Sequence, residues 1–168
     1  MRFSGINYES IVDGDGVRIV IFFSGCNHHC QGCHNKKTWD YNYGEEFSED
    51  HIERIKKHLE NNYISGITVS GGDLLCHPDN IVEKYLKILK ELLNENQTLW
   101  VYTGYKFEEI RKKKYLKLID VLVDGPFDSD LYDPDLKYRG SLNQRIIDVK
   151  KSLKFKFRKK IILLEGDY

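Results

Sequence analysis

Short, continuous apolar runs alternate along this chain with longer stretches in which apolar residues recur every three or four positions. Val17–Ser24 is the first run, β-branched and aromatic almost throughout, and it predicts a buried parallel strand. Gly66–Ser70, Thr98–Thr103 and Asp120–Val123 predict three more. Between them the period changes. Ser48 reads as an N-cap, and Ile52, Ile55 and Leu59 follow at helical spacing to about Asn61. A second helix opens near Pro78-Asp79, with Ile81, Val82, Tyr85, Leu86, Leu89, Leu92 and Leu93 as its apolar face. A charged helix with Phe107 and Ile110 inward is expected across roughly Lys106–Lys117. Residues 1–16 read as an irregular lead-in, with Asp13-Gly14-Asp15-Gly16 as turn chemistry. Residues 124–140 read as an acidic loop, and Leu153, Phe155 and Phe157 alternate with lysines as in a half-buried strand.

Strand–helix alternation predicts an α/β protein with a parallel sheet and right-handed crossovers. The unusual residues all follow directly on predicted strands: the cysteines, Gly71-Gly72-Asp73, Thr103-Gly104 and Asp124-Gly125. In barrel-like α/β folds that end of the strands is where an active site assembles.

At 168 residues the chain is most simply one domain, 1–168, with 150–168 as a basic tail or extra strand. That tail carries seven basic groups against Glu165 and Asp167, in a chain whose formal net charge is zero. It suits either an acidic partner or plain solvation. A content of 40% hydrophobic and 31% charged residues is that of an ordinary globular protein. No apolar run approaches the roughly 18–20 residues that span a bilayer. The N-terminus lacks a secretory apolar region, which predicts a cytoplasmic location and reduced thiols. Nothing argues for binding to nucleic acid.

Three of the four cysteines, Cys26, Cys30 and Cys33, fall within eight residues as C-x3-C-x2-C. Structural zinc and fully ligated iron–sulfur sites want four protein ligands. Three thiolates on one loop suggest a cluster with one iron left open for a substrate. The competing reading is zinc, completed by His28, His29 or His34. Cys76 is either a fourth ligand or a lone loop thiol. Ser70-Gly71-Gly72-Asp73 is either a tight turn or a place where backbone and carboxylate meet a ligand's ammonium group. Thr103 and Asp124 read as caps or turn formers. Arg139, Asn143, Gln144 and Arg145 would hold a carboxylate or a partner's backbone, unless they are simply exposed.

The cysteine spacing followed by a Gly-Gly-acid strand end resembles the radical S-adenosylmethionine enzymes. Asp13-Gly14-Asp15-Gly16-Val17-Arg18 leading into Phe23-Ser24-Gly25-Cys26 resembles the glycyl-radical activating enzymes among them. Several segments resemble one branch, the activating proteins of anaerobic ribonucleoside-triphosphate reductases. They are Gly32–Lys36 with Thr38-Trp39, Ser70–Asp73, Tyr102–Tyr105, Val123–Phe127 and Arg139–Gln144. The likeness spans about residues 5–148. Asp15 stands where related activases usually carry proline, Gly32 where the superfamily often has an aromatic, and Asp73 where it has glutamate. The chain also lacks the cysteine-rich insert of activases with auxiliary clusters.

The resemblance implies a partial, open TIM-like parallel β/α barrel of the radical S-adenosylmethionine type. It implies that Cys26, Cys30 and Cys33 hold a [4Fe–4S] cluster whose open iron binds the amino and carboxylate groups of S-adenosylmethionine. Gly71, Gly72 and Asp73 would cradle the methionine, and Gly32, Cys33 and His34 would lie against the nucleoside. Reductive cleavage would give methionine and a 5′-deoxyadenosyl radical, which takes hydrogen from a glycine Cα of the reductase large subunit. The electron would come from a flavodoxin- or ferredoxin-type donor. Activation of another glycyl-radical enzyme, of the formate lyase type, and a non-catalytic zinc-binding module are the alternatives.

Overall fold

The computed structural model of the chain describes residues 1–154 and 160–166. Its strands are β1 (Arg2–Ser10), β2 (Val17–Phe23), β3 (Glu45–Glu46), β4 (Ile64–Gly71), β5 (Thr98–Tyr102), β6 (Val121–Asp124) and β7 (Arg145–Asp148). The helices are α1 (Glu49–Leu59), α2 (Asp79–Glu91), α3 (Phe107–Ile110) and α4 (Val149–Lys154). Among the described residues the strands form one sheet in the order β3-β1-β2-β4-β5-β6-β7. The central four, β2-β4-β5-β6, are parallel, and β1, β3 and β7 pair antiparallel at the two edges. The fold is therefore α/β with a mixed, unclosed sheet, where alternation alone predicted a purely parallel one. The antiparallel edges are the part the alternation could not carry, because no helix intervenes between β1 and β2.

The continuous apolar runs are explained by burial on both faces. Ile19, Ile21, Phe23, Ile67, Val69, Leu99, Val101 and Leu122 share one core with Ile55 and Leu59 of α1 and Val82, Leu86 and Leu89 of α2. Their neighbours in sequence point the other way, as strand geometry requires. Trp100, Val121, Val123 and Ile146 form a smaller cluster there, covered by Tyr138 and Leu164. Each side chain so buried contributes about 1.5–3 kcal/mol, which sets the helix-side core as the main stabiliser.

Three local expectations are corrected. Residues 2–10 are not irregular: β1 pairs with β2 through Phe3↔Phe23 and Ile6↔Ile21. Two irregularities of register, between Phe3 and Gly5 and between Asn7 and Ser10, erase the period-two pattern that would have revealed it. The charged helix is only a single α-turn, α3, followed by a 3-10 turn over Lys114–Leu118. The Phe107 amide donates to buried Asp124 at 2.7 Å, and the later turn buries Tyr115 and Leu116 while Lys112–Lys114 stay in solvent. Leu153 lies in α4, not in a strand, and Phe155 and Phe157 fall outside the described residues. The chain returns along β7, where the Leu164 amide donates to the Ile146 carbonyl. No helix among the described residues is long and apolar enough to cross a membrane.

Arg18 ties the parallel strands together from within. It is 1% exposed. Its Nε donates to Thr68 Oγ1 at 2.8 Å, and its Nη2 donates to the Ile67 and Thr98 carbonyls at 2.9 and 2.6 Å. Burial pushes the guanidinium down to about 10, so it stays cationic at neutral pH. Its charge is met by carbonyl dipoles and by the face of Trp100, 5.2 Å away. Arg18→Met leaves several buried acceptors unsatisfied. It should destabilise the apoprotein by about 3 kcal/mol or more in anaerobic urea unfolding followed by tryptophan fluorescence. An unchanged midpoint would contradict this role.

Candidate functional site

The ends of the four parallel strands meet in one open cleft. Cys26 follows β2, Gly71–Asp73 end and follow β4, Tyr102–Gly104 end and follow β5, and Gly125 follows β6; all of them line it. Cys30, Cys33, Trp39, Phe127 and Gln144 complete the walls. All four cysteines are free thiols; Cys26 is buried in the floor, and Cys30 and Cys33 are half-exposed.

The glycine pair exists because backbone meets backbone here. The Gly72 amide donates to the Phe23 carbonyl at 2.7 Å and the Asp73 amide to the Gly25 carbonyl at 2.9 Å. A Cβ on Gly71 would lie 2.5 Å from the Phe23 carbonyl oxygen, and one on Gly72 would lie 2.7 Å from the carbonyl oxygens of Gly25 and Thr38. The end of β4 is thus pressed onto the root of the cysteine loop, and the glycine pair itself puts no side chain into the cleft.

Asp73 is 2% exposed, and its carboxylate is fully engaged. Oδ2 accepts from His28 Nε2 at 2.8 Å, Thr103 Oγ1 at 2.8 Å and the Gly104 amide at 3.0 Å; Oδ1 accepts from the Leu75 amide at 2.9 Å. The His28 ring lies flush on Gly104, where an added Cβ would come within 2.4 Å, and edge-on to Tyr105 at 4.6 Å between centroids. His28, which the sequence offers as a zinc ligand, is the pin that holds the cysteine loop to the ends of β4 and β5. Thr103 is not merely a turn former, since its hydroxyl donates to the same carboxylate. The hydrogen bond to Asp73 raises the His28 pKa above its ordinary value against the opposing effect of burial.

Cys76 stands behind this wall. Its thiol donates to Cys26, which favours the Cys26 thiolate and keeps Cys76 protonated. The Asn27 amide points at its sulfur from 3.5 Å. Burial pushes the Cys30 thiol up. Among the described residues, the possible metal ligands whose donor atoms lie within 4.8 Å of one another are His28, Asp73 and Cys76. Asp73 has already spent its oxygens on four internal donors, so that trio is a hydrogen-bonded wall. A single zinc with Zn–S near 2.3 Å would draw its thiols to roughly 4 Å of one another. Three free thiols spread around an open cleft are a donor set that fits a cluster, whose irons are ligated one thiolate each.

Gly32 and His34 flank Cys33 but do not line this cleft. Gly32 packs under Ser129 and Phe127, and the His34 ring lies 5.4 Å from that of Phe127. Of the segment expected against a nucleoside, Cys33 alone faces the cleft directly, while its neighbours back Phe127. The polar set at 139–145 is mostly self-satisfied. Gln144 Oε1 accepts from the Gly140 and Ser141 amides, Arg139 Nη1 donates to the Gln144 carbonyl, and Asn143 Nδ2 donates to the Pro126 carbonyl. Arg145 pairs with Asp124 and with Glu108, holding the Glu108 carboxyl down at about 2.

A family model described as a 4Fe-4S single cluster domain matches residues 12–147. The anaerobic ribonucleoside-triphosphate reductase-activating protein of enterobacteria phage T4 is 38% identical over 148 residues, covering 84% of this chain and 93% of that protein. The protein of the same name from Escherichia coli (strain K12) is 44% identical over 140 residues, covering 80% and 90%. That from Pasteurella multocida is 42% identical over 144 residues, covering 81% and 90%. This chain belongs to the family of anaerobic ribonucleoside-triphosphate reductase-activating proteins. The matched span opens just before β2 and closes within β7, so every wall of the cleft lies inside the 4Fe-4S domain. What sequence reasoning missed in this activating-protein fold is the His28–Asp73–Thr103 node. Only the position of His28, two residues after the first cysteine, hinted at it.

The node has a pH signature. A raised folded pKa means that the His28–Asp73 bond stabilises fully below the ordinary imidazole value and is lost as pH rises through the raised one. Asp73→Asn should return the His28 titration toward 6.5 by NMR. The stability gap between the wild-type apoprotein and this variant should narrow with rising pH. A His28 titration that does not move would show that the contact carries no charge.

Proposed function

We propose that this chain activates an anaerobic ribonucleoside-triphosphate reductase by reductive cleavage of S-adenosylmethionine, placing a glycyl radical on the reductase large subunit. The observation that carries this reading is the convergence of three free thiols and a side-chain-free glycine pair on one cleft, in a chain of this family. Cys26, Cys30 and Cys33 would hold a [4Fe–4S] cluster. When bound, the reduced cluster supplies the electron that splits the sulfonium into methionine and a 5′-deoxyadenosyl radical able to take hydrogen from a glycine Cα.

The protein's own part is binding, orientation and exclusion. Cys26 is predisposed to the thiolate form that ligates iron, because the Cys76 thiol donates to it. Gly71 and Gly72 let the end of β4 seat on the root of the cysteine loop and present only backbone where a methionine end would lie, and Asp73 fixes their turn from below. Trp39, Tyr102 and Phe127 supply apolar wall that keeps water from a reactive radical, and Gly32 and His34 shape the Phe127 end, where the nucleoside would lie. The four parallel strands then serve as the open, partial TIM-like barrel of the radical S-adenosylmethionine type. Its open side suits a substrate that is a loop of another protein. We place the reaction in the cytoplasm, with a flavodoxin- or ferredoxin-type donor. Activation of a formate lyase type enzyme is disfavoured by the names of the relatives, and a zinc module by the spread of the thiols.

Anaerobic reconstitution with iron and sulfide, then dithionite and S-adenosylmethionine, should give a brown protein that forms 5′-deoxyadenosine. Cys30→Ala should lose both cluster iron and 5′-deoxyadenosine, whereas Cys76→Ala should keep its cluster. A colourless, zinc-loaded protein that makes no 5′-deoxyadenosine would sink the enzyme reading. Equal iron loss in the two variants would show the ligand set to be wrong.

A further inference from the structure

If the cleft described above holds S-adenosylmethionine and admits the partner's glycine loop, the electron has to reach the cluster across another face. Cys33 offers one. It lines that cleft and also a second, of about 450 Å³, on its other side. His34, Lys36, Lys37 and Tyr43 line the second cleft, and no carboxylate does. Both lysines are exposed, and among the described residues neither enters an ion pair. Their backbone is fixed to the root of the cysteine loop. The Gly25 amide donates to the Thr38 carbonyl at 2.7 Å and the Cys26 amide to the Trp39 carbonyl at 3.2 Å. Two uncompensated cations are thus held at a set position beside one cluster ligand.

We infer that this basic cleft is the docking surface for an acidic one-electron carrier protein, which reduces the cluster from the Cys33 side. The inference rests on the activation reaction proposed above. In the step itself the carrier loses one electron and the cluster gains it, with no bond made or broken. An unpaired positive rim steers a carboxylate-rich protein to this face and orients it. The carrier's redox centre then lies against the wall that Cys33 forms, while the other cleft stays free for cofactor and substrate.

The test measures binding of an oxidised, acidic flavodoxin to the cluster-loaded protein by calorimetry at low and raised salt. Wild-type affinity should fall as salt rises. The double variant Lys36→Glu with Lys37→Glu should bind at least about tenfold more weakly at low salt. Carbodiimide should join a carrier carboxylate to Lys36 or Lys37 in the wild type, located by mass spectrometry. The same variant should take up its cluster and cleave S-adenosylmethionine with dithionite at the wild-type rate. Lys57→Glu, in the last turn of α1, should change none of these. Unchanged carrier affinity in the double variant, or cross-links that map elsewhere, would overturn the surface. So would a double variant that binds the carrier normally but loses the reductase, which would assign the cleft to the reductase. A wild-type protein that cleaves no S-adenosylmethionine even with dithionite would overturn the activation reading and this surface with it, an outcome distinct from a failed variant.

Discussion

The site depends on one buried carboxylate. Asp73 receives donors from the cysteine loop, from the residue pair after β5 and from its own turn, so three separate strand ends are held through a single side chain. A buried carboxylate with four donors is stable because each lone pair is met, and removing any donor leaves part of its desolvation cost unpaid for. The cysteine loop has little apolar anchorage of its own, since two of its three thiols are half-exposed. Its position therefore comes from polar contacts made at its root and at His28. A loop held this way can present thiols at fixed places and still keep its outer side open.

The sheet supplies the frame on which that node works. Four parallel strands bring their C-terminal ends to one edge, and their loops are short enough that Gly25, Gly72 and Gly104 all touch neighbouring chain. The antiparallel edge strands extend the sheet without adding to the cleft, apart from the stretch before β7, where Gln144 closes one wall. Arg18 holds the same strands at their opposite ends, so the parallel core is pinned by a cation at one end and an anion at the other.

Much of this was legible in the chain. The four parallel strands announced themselves as continuous apolar runs because both faces are covered, and the cysteine spacing marked the loop. β1 was illegible because its irregular pairing leaves only Phe3 and Ser10 fully buried and scatters its apolar residues. The run at 106–117 misled because strong helix formers such as Glu, Lys and Leu fill it, while the chain is held by Asp124 at one end and buries Tyr115 and Leu116 in a tighter turn at the other. In the site, the glycine pair suggests a tight turn or a ligand approach, and the backbone contact that also requires it comes from segments distant in sequence. The His28–Asp73 and Thr103–Asp73 bonds join residues 45 and 30 positions apart, a pairing that no local pattern encodes.

The central claim is that three thiolates leave one iron open and that S-adenosylmethionine takes it. Electron–nuclear double resonance on the reduced, cluster-loaded protein with 15N-amino-labelled S-adenosylmethionine tests this at the atoms concerned. The account predicts a 15N coupling to the cluster that is absent without the cofactor. A fully reduced, cofactor-saturated cluster with no such coupling would contradict it.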